Sequence, residues 1–167
     1  MVVCGSTACA DYFAGPSHRN VTLAAGTFVQ AGGYVAPRIT IVLTSSTWDR
    51  NPYVLAHERS HVEVAARLNG KHVPAWFDEG LATYVGGEPQ CSSVKGKGIA
   101  DLTQLDAESD WTAYTADSTK FSTTYCQARG EVAAWIGKNG NGAVGQLLQS
   151  VAQGAVFAVA YGPLMTP

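Results

Sequence analysis

Five residues constrain this chain more than any others: His57-Glu58-Arg59-Ser60-His61, an H-E-x-x-H pattern. On a helix, residues four apart share one face, so the two imidazoles point the same way. Two imidazoles one turn apart can grip a single metal ion, and Glu58 then reaches a water activated by that ion. The pattern carries this meaning only on a helix, and the flanking residues predict one. Asn51 is a good cap and Pro52 suits the first helical position, where its missing N–H costs nothing. No breaker follows until Asn69-Gly70, residues that tolerate left-handed backbone. The helix is therefore expected over about 52–69, with the pattern in its middle. Leu55, Val62, Ala65 and Ala66 give it an apolar stripe, and Arg59, Glu63 and Arg67 a solvated side. The plainer reading is an ordinary amphipathic helix whose two histidines happen to lie one turn apart.

A catalytic zinc takes three protein ligands and keeps its fourth position for water. The next segment, Val73-Pro74-Ala75-Trp76-Phe77-Asp78-Glu79-Gly80-Leu81-Ala82-Thr83-Tyr84, supplies a candidate. Pro74 can start a second helix; Trp76, Phe77, Leu81, Ala82 and Tyr84 give its buried side, and Gly86-Gly87 stops it. Two helices joined by a short turn lie antiparallel. A carboxylate early in the second then faces the end of the first, as Glu79 does, 18 positions after His61 (79 − 61 = 18). Asp78 is the rival. The two lie about 100° apart around a helix, so one of them faces the metal and the other caps the helix or supports the site from behind.

H-E-x-x-H followed by W-F-D-E-G-L-A-T-Y resembles the gluzincin branch of the zincin metallopeptidases, and is similar to the small peptidase-MA-like group with its E-G-L-A signature. The resemblance covers residues 52–86 well and 120–162 more weakly; the first 30 residues match nothing in it. It implies His57, His61 and Glu79 as zinc ligands and Glu58 as general base. It favours Glu79 over Asp78 because Gly80-Leu81-Ala82 follows. The aspzincin run G-T-x-x-D-x-x-Y-G is absent, and Val62–Arg67 lacks the Gly and third His of a metzincin. The larger gluzincins often carry an aspartate four residues after the ligand glutamate, orienting a zinc-bound histidine. This chain has Thr83 there, so that task falls to its hydroxyl, to a backbone carbonyl or to Glu63.

The expected chemistry is attack of a metal-activated water on a carbonyl carbon. Glu58 takes the water's proton and later gives it to the leaving amine. The family's tail helix carries a tyrosine, which makes Tyr125 the candidate oxyanion donor. Tyr53, Tyr84, Tyr114, His18 and His72 are weaker candidates, and Tyr125 itself can equally be a core aromatic. The resulting function is a zinc-dependent endopeptidase acting on peptide or protein substrates. Two alternatives stand beside it: a non-enzymatic binding module with a structural zinc, and a zinc hydrolase of non-peptide amides. An intact Glu58 favours an enzyme, since a closed structural site has no use for it.

With 46% apolar and 14% charged residues, the chain is globular, and its 167 residues suit a single domain spanning 1–167. The formal net charge of −2 and the lack of any basic run argue against nucleic acid. No apolar stretch is long enough to span a membrane. Oligomeric state is not readable. The four cysteines, Cys4, Cys9, Cys91 and Cys126, form no C-x-x-C pair and are even in number, which fits an extracytoplasmic, secreted or periplasmic protein with disulfides. Of three pairings, Cys4–Cys9 with Cys91–Cys126 is the expectation. No secretory signal peptide is visible at the start, which suits a trimmed mature form.

Short strands are expected at 21–23 and 27–29, and the β-branched run Arg38–Leu43 reads as the best strand, directly before the metal helix. Residues 86–100 read as a loop and 100–105 as a helical turn. Helices are expected over 120–137, 143–151 and 156–161, with Lys138–Gly142 a turn. The expected class is α+β and zincin-like: mainly helical, a small β-sheet packed on the N-terminal half, and the H-E-x-x-H helix as active-site helix.

Overall fold

The computed structural model describes residues 52–92 and 100–164, and the backbone alone of residues 2–4, 25–30 and 38–44. The expected Asn51 cap, the strand at 21–23 and the Cys4–Cys9 bridge lie outside the described residues.

Helix α1 runs Pro52–Leu68 and α2 Ala75–Gly86. Asn69 and Gly70 take positive φ (49° and 81°) and turn the chain between them. Pro74 precedes α2 as its N-cap residue, and Gly87 ends the helix in left-handed backbone (φ 69°), donating its N–H to the carbonyls of Thr83 and Tyr84. The start of α2 is pinned by the 100–106 segment. Ala75 N–H donates to the Asp106 carbonyl (2.8 Å) and the Trp76 indole to the Asp106 carboxylate (3.1 Å). Short 3-10 turns cover Pro89–Ser92 and Leu102–Gln104. Beyond them come α3 (Glu108–Thr115), α4 (Ser118–Asn139), α5 (Ala143–Ala152) and α6 (Phe157–Tyr161). The sequence reading did not anticipate α3: its Ala107 cap makes no side-chain hydrogen bond and only Trp111 and Thr115 are buried.

Two glycines let the helices touch. A Cβ on Gly80 would lie 2.7 Å from the backbone carbonyl group of Ala128, so α2 and α4 cross almost backbone to backbone. A Cβ on Gly86 would lie 2.9 Å from the Tyr53 carbonyl oxygen and 3.4 Å from the His57 Cβ, so the end of α2 lies against the start of α1. The pair is antiparallel, as its short connection requires. Phe77, Trp111, Ala128, Val132 and Leu148 lead a core drawn from the helices and their connections.

The expected α+β class is corrected by this arrangement. Among the residues described with their side chains there is no strand and no sheet, and helix accounts for 76% of the interpretable structure. Strand backbone is described at Val2–Cys4 (β1), Ala25–Gln30 (β2) and Arg38–Thr44 (β3), with β3 parallel to β1 and antiparallel to β2. A β-branched run biases its own backbone, but class is decided by what closes the interior. Among the residues described with their side chains, the helices and their connections close the interior.

The Cys91–Cys126 disulfide is present and ties the turn after α2 to α4. A bridge of this kind is compatible with an oxidising, extracytoplasmic setting. No described helix is long and apolar enough to cross a membrane.

Candidate metal centre

The antiparallel packing of α1 and α2 brings three ligand-type side chains to one point. His57, His61 and Glu79 each offer an atom within 4.8 Å of the other two. Glu79 Oε2 lies 3.2 Å from His57 Nε2 and 3.7 Å from His61 Nε2. Zinc bonds of about 2.0–2.1 Å in a tetrahedron put neighbouring donors about 3.4 Å apart, so this spacing fits a common ion. Glu79 Oε2 is also buried without a hydrogen-bond partner, despite the nearby imidazole nitrogens. The donors therefore aim at a shared point more than at each other. Two imidazoles and a carboxylate suit zinc and also other divalent ions.

Electrostatics agree with the geometry. Burial opposes the charge on Glu79, yet the His57 and His61 rings and the Tyr125 hydroxyl outweigh it and hold its carboxyl below the usual range. Burial likewise opposes a charged His61. The Asp78 hydrogen bond and the Glu79 and Glu58 charges prevail there, and the imidazole is pushed up to about 9. A metal ion taken up near neutral pH would therefore displace a proton from this centre.

Glu58 is buried, as are His57 and Ser60. Its charge acts on both His61 and Tyr125. The Tyr125 ring sits 6.3 Å from the His57 ring, and the Trp111 indole N–H donates to its hydroxyl oxygen (3.3 Å). Burial, with the Glu79 charge next, pushes the Tyr125 phenol far above its ordinary value, so it stays a proton donor. Tyr84 and His72 are exposed, Tyr114 has Lys120 over its ring, and His18 is outside the described residues.

Asp78 is not in the ligand cluster. Its Oδ2 lies 3.0 Å from His61 Nδ1, on the far side of the ring from Glu79. Thr83 does not orient a histidine, because its hydroxyl donates to the Glu79 carbonyl one turn back (2.7 Å). Glu63 is engaged by Arg59 (2.7 Å) on the exposed side. Asp78 thus stands where the sequence pattern left Thr83 as a question. Three residues near the site went unremarked in the sequence: Glu88, 3.9 Å from His57 Nδ1; Trp111; and Glu108, whose carboxyl is raised by burial and then by the Glu79 charge. No local spacing announces any of them. A separate cleft of about 580 Å³ lies behind α1, lined by residues such as Ala56, Ser60, Leu81, Val85 and Leu148; none of the three cluster residues borders it.

Comparison with family models, with curated proteins and with solved structures finds no match, so the centre is judged on its own geometry.

Proposed function

We propose that the chain is a metal-dependent hydrolase, most simply a zinc endopeptidase, with His57, His61 and Glu79 as ligands and Glu58 as general base. The observation that carries this reading is the convergence of two imidazole nitrogens on a buried Glu79 oxygen that has no hydrogen-bond partner. A divalent ion bound there would supply a Lewis acid that activates water for attack on an acyl carbon. Glu58 accepts the proton of the attacking water and passes it to the departing amine nitrogen. Tyr125, kept protonated, donates to the oxygen on which charge develops, while Trp111 fixes its orientation. Asp78 holds the His61 ring.

A peptide or protein is the proposed substrate. A structural-zinc module would need a fourth protein ligand, and the described residues group three.

The test is Glu58→Gln. The variant should bind metal as the wild type does and lose roughly 100- to 10,000-fold in turnover of a casein-type substrate. Unchanged turnover would remove Glu58 from the chemistry, and wild-type protein that takes up no divalent ion would end the metal reading altogether.

A further inference from the structure

The two histidines are supported unequally. His61 Nδ1 has the Asp78 carboxylate at 3.0 Å. His57 Nδ1 is buried and makes no hydrogen bond, and the nearby carboxylate is Glu88, at 3.9 Å. An imidazole that offers Nε2 to a metal keeps its proton on Nδ1, and that N–H calls for an acceptor. Both side chains, His57 and Glu88, are 11% exposed, so water is a poor substitute.

Glu88 follows Gly87, where α2 has ended, and opens the turn at Pro89–Ser92. The hydrogen bonds recorded inside that turn are local: Cys91 N–H to the Glu88 carbonyl (3.2 Å) and the Ser92 hydroxyl to the Pro89 carbonyl (2.7 Å). The covalent attachment is the Cys91–Cys126 bond, which ends on α4 one residue past Tyr125. We propose that the Cys91–Cys126 disulfide sets the metal affinity of the centre by holding Glu88 beside Nδ1 of His57. Glu88 is then a positioning residue, acting on the metal through His57. The inference rests on the metal-site reading above.

The experiment uses the full chain, stripped with chelator and then titrated with Zn2+ against a chromophoric chelator. Co2+ absorption reports ligand geometry, and circular dichroism reports folding. Glu88→Ala should weaken Zn2+ by about 10- to 100-fold and alter the Co2+ spectrum. Glu88→Gln, which keeps an acceptor oxygen, should recover most of the affinity. Cys91→Ser/Cys126→Ser should lose a similar factor at temperatures where it is fully folded. Should that pair not fold, Cys91→Ala/Cys126→Val fills the buried space with apolar groups and serves instead. Combining either pair with Glu88→Ala should cost little more than the larger single loss, because both act through one contact. Wild-type affinity in Glu88→Ala, wild-type affinity in a folded cysteine variant, or losses that multiply would each overturn the proposal. Absence of divalent binding in the wild type is a different result and overturns the metal reading itself.

Discussion

Two glutamates on the described helices, Glu131 and Glu79, are treated in opposite ways. Glu131, on α4, is fully buried and accepts a hydrogen bond from the Tyr161 hydroxyl (3.0 Å). Around it the Trp135 indole donates to the Tyr161 carbonyl (2.9 Å) and stacks on the Tyr161 ring, 4.9 Å apart and 11° from parallel. That region is closed upon itself and fastens α6 to α4. Glu79, on α2, is also enclosed, yet its Oε2 lacks a hydrogen bond and faces two imidazoles. A buried polar atom left open costs free energy unless something else completes it. The contrast teaches that burial alone does not mark a site. What distinguishes Glu79 is an oxygen that faces two imidazoles without a hydrogen bond.

The sharpest break of this contrast is a matched pair of truncations. Glu79→Ala should cut metal affinity well beyond the 100-fold typical of supporting residues, while the metal-free protein melts within a few degrees of the wild type. Glu131→Ala should leave metal affinity near normal and cost about 2–5 kcal/mol, a fall on the order of 10 °C in Tm. Chelator competition and calorimetry on both variants decide it. If the two melt alike, the distinction between a site acid and a structural acid fails.

Gly80→Ala should follow, at about 1–3 kcal/mol, because its methyl meets the Ala128 backbone where neither helix can yield cheaply. It should also weaken metal binding, since Glu79 is the next residue and α4 carries Tyr125. Thermal melts with a Zn2+ titration test both, and an unperturbed melt would show that the helices are not in close contact there.

The smallest effect sharpens the structural side. Tyr161→Phe removes the hydroxyl that serves Glu131 and should cost about 1–2 kcal/mol with metal binding intact. Burial, and then the Glu131 charge, raises the Tyr161 phenol above its ordinary 10.0. Its stabilising contribution is therefore whole below about pH 10 and declines above that, where the unfolded chain ionises first. The Phe variant should lose part of the alkaline decline seen in wild-type melts. Parallel declines in the two proteins would mean that Tyr161 titrates as it does in an unfolded chain.

The centre was legible wherever chemistry follows from short spacing. His57, Glu58 and His61 lie on one helix, and Glu79 is brought in by a short turn that forces antiparallel packing. The choice between Asp78 and Glu79 needed the Gly-Leu-Ala that follows them, and Gly80 turns out to be the residue that lets α2 approach α4. The class of the fold was less legible. The Arg38–Leu43 run advertises a strand, but hydropathy patterning does not say whether a strand will supply the interior. Helix α3 was missed because it buries few residues and begins without a side-chain cap. Glu88 and Trp111 were missed because contacts between distant segments leave no trace in either segment's own pattern.

Helix α4 is a single 22-residue rod. It touches Tyr125, Cys126 and Ala128 to the centre's side and Glu131 and Trp135 to the tail's side. Such a rod transmits position as a ruler does: its two ends cannot be set independently. Anything that loosens the carboxyl-terminal fastening also blurs where the phenol of Tyr125 is held, some two turns away, so trimming the tail would be felt as a loss of aim beside His57 and Glu79.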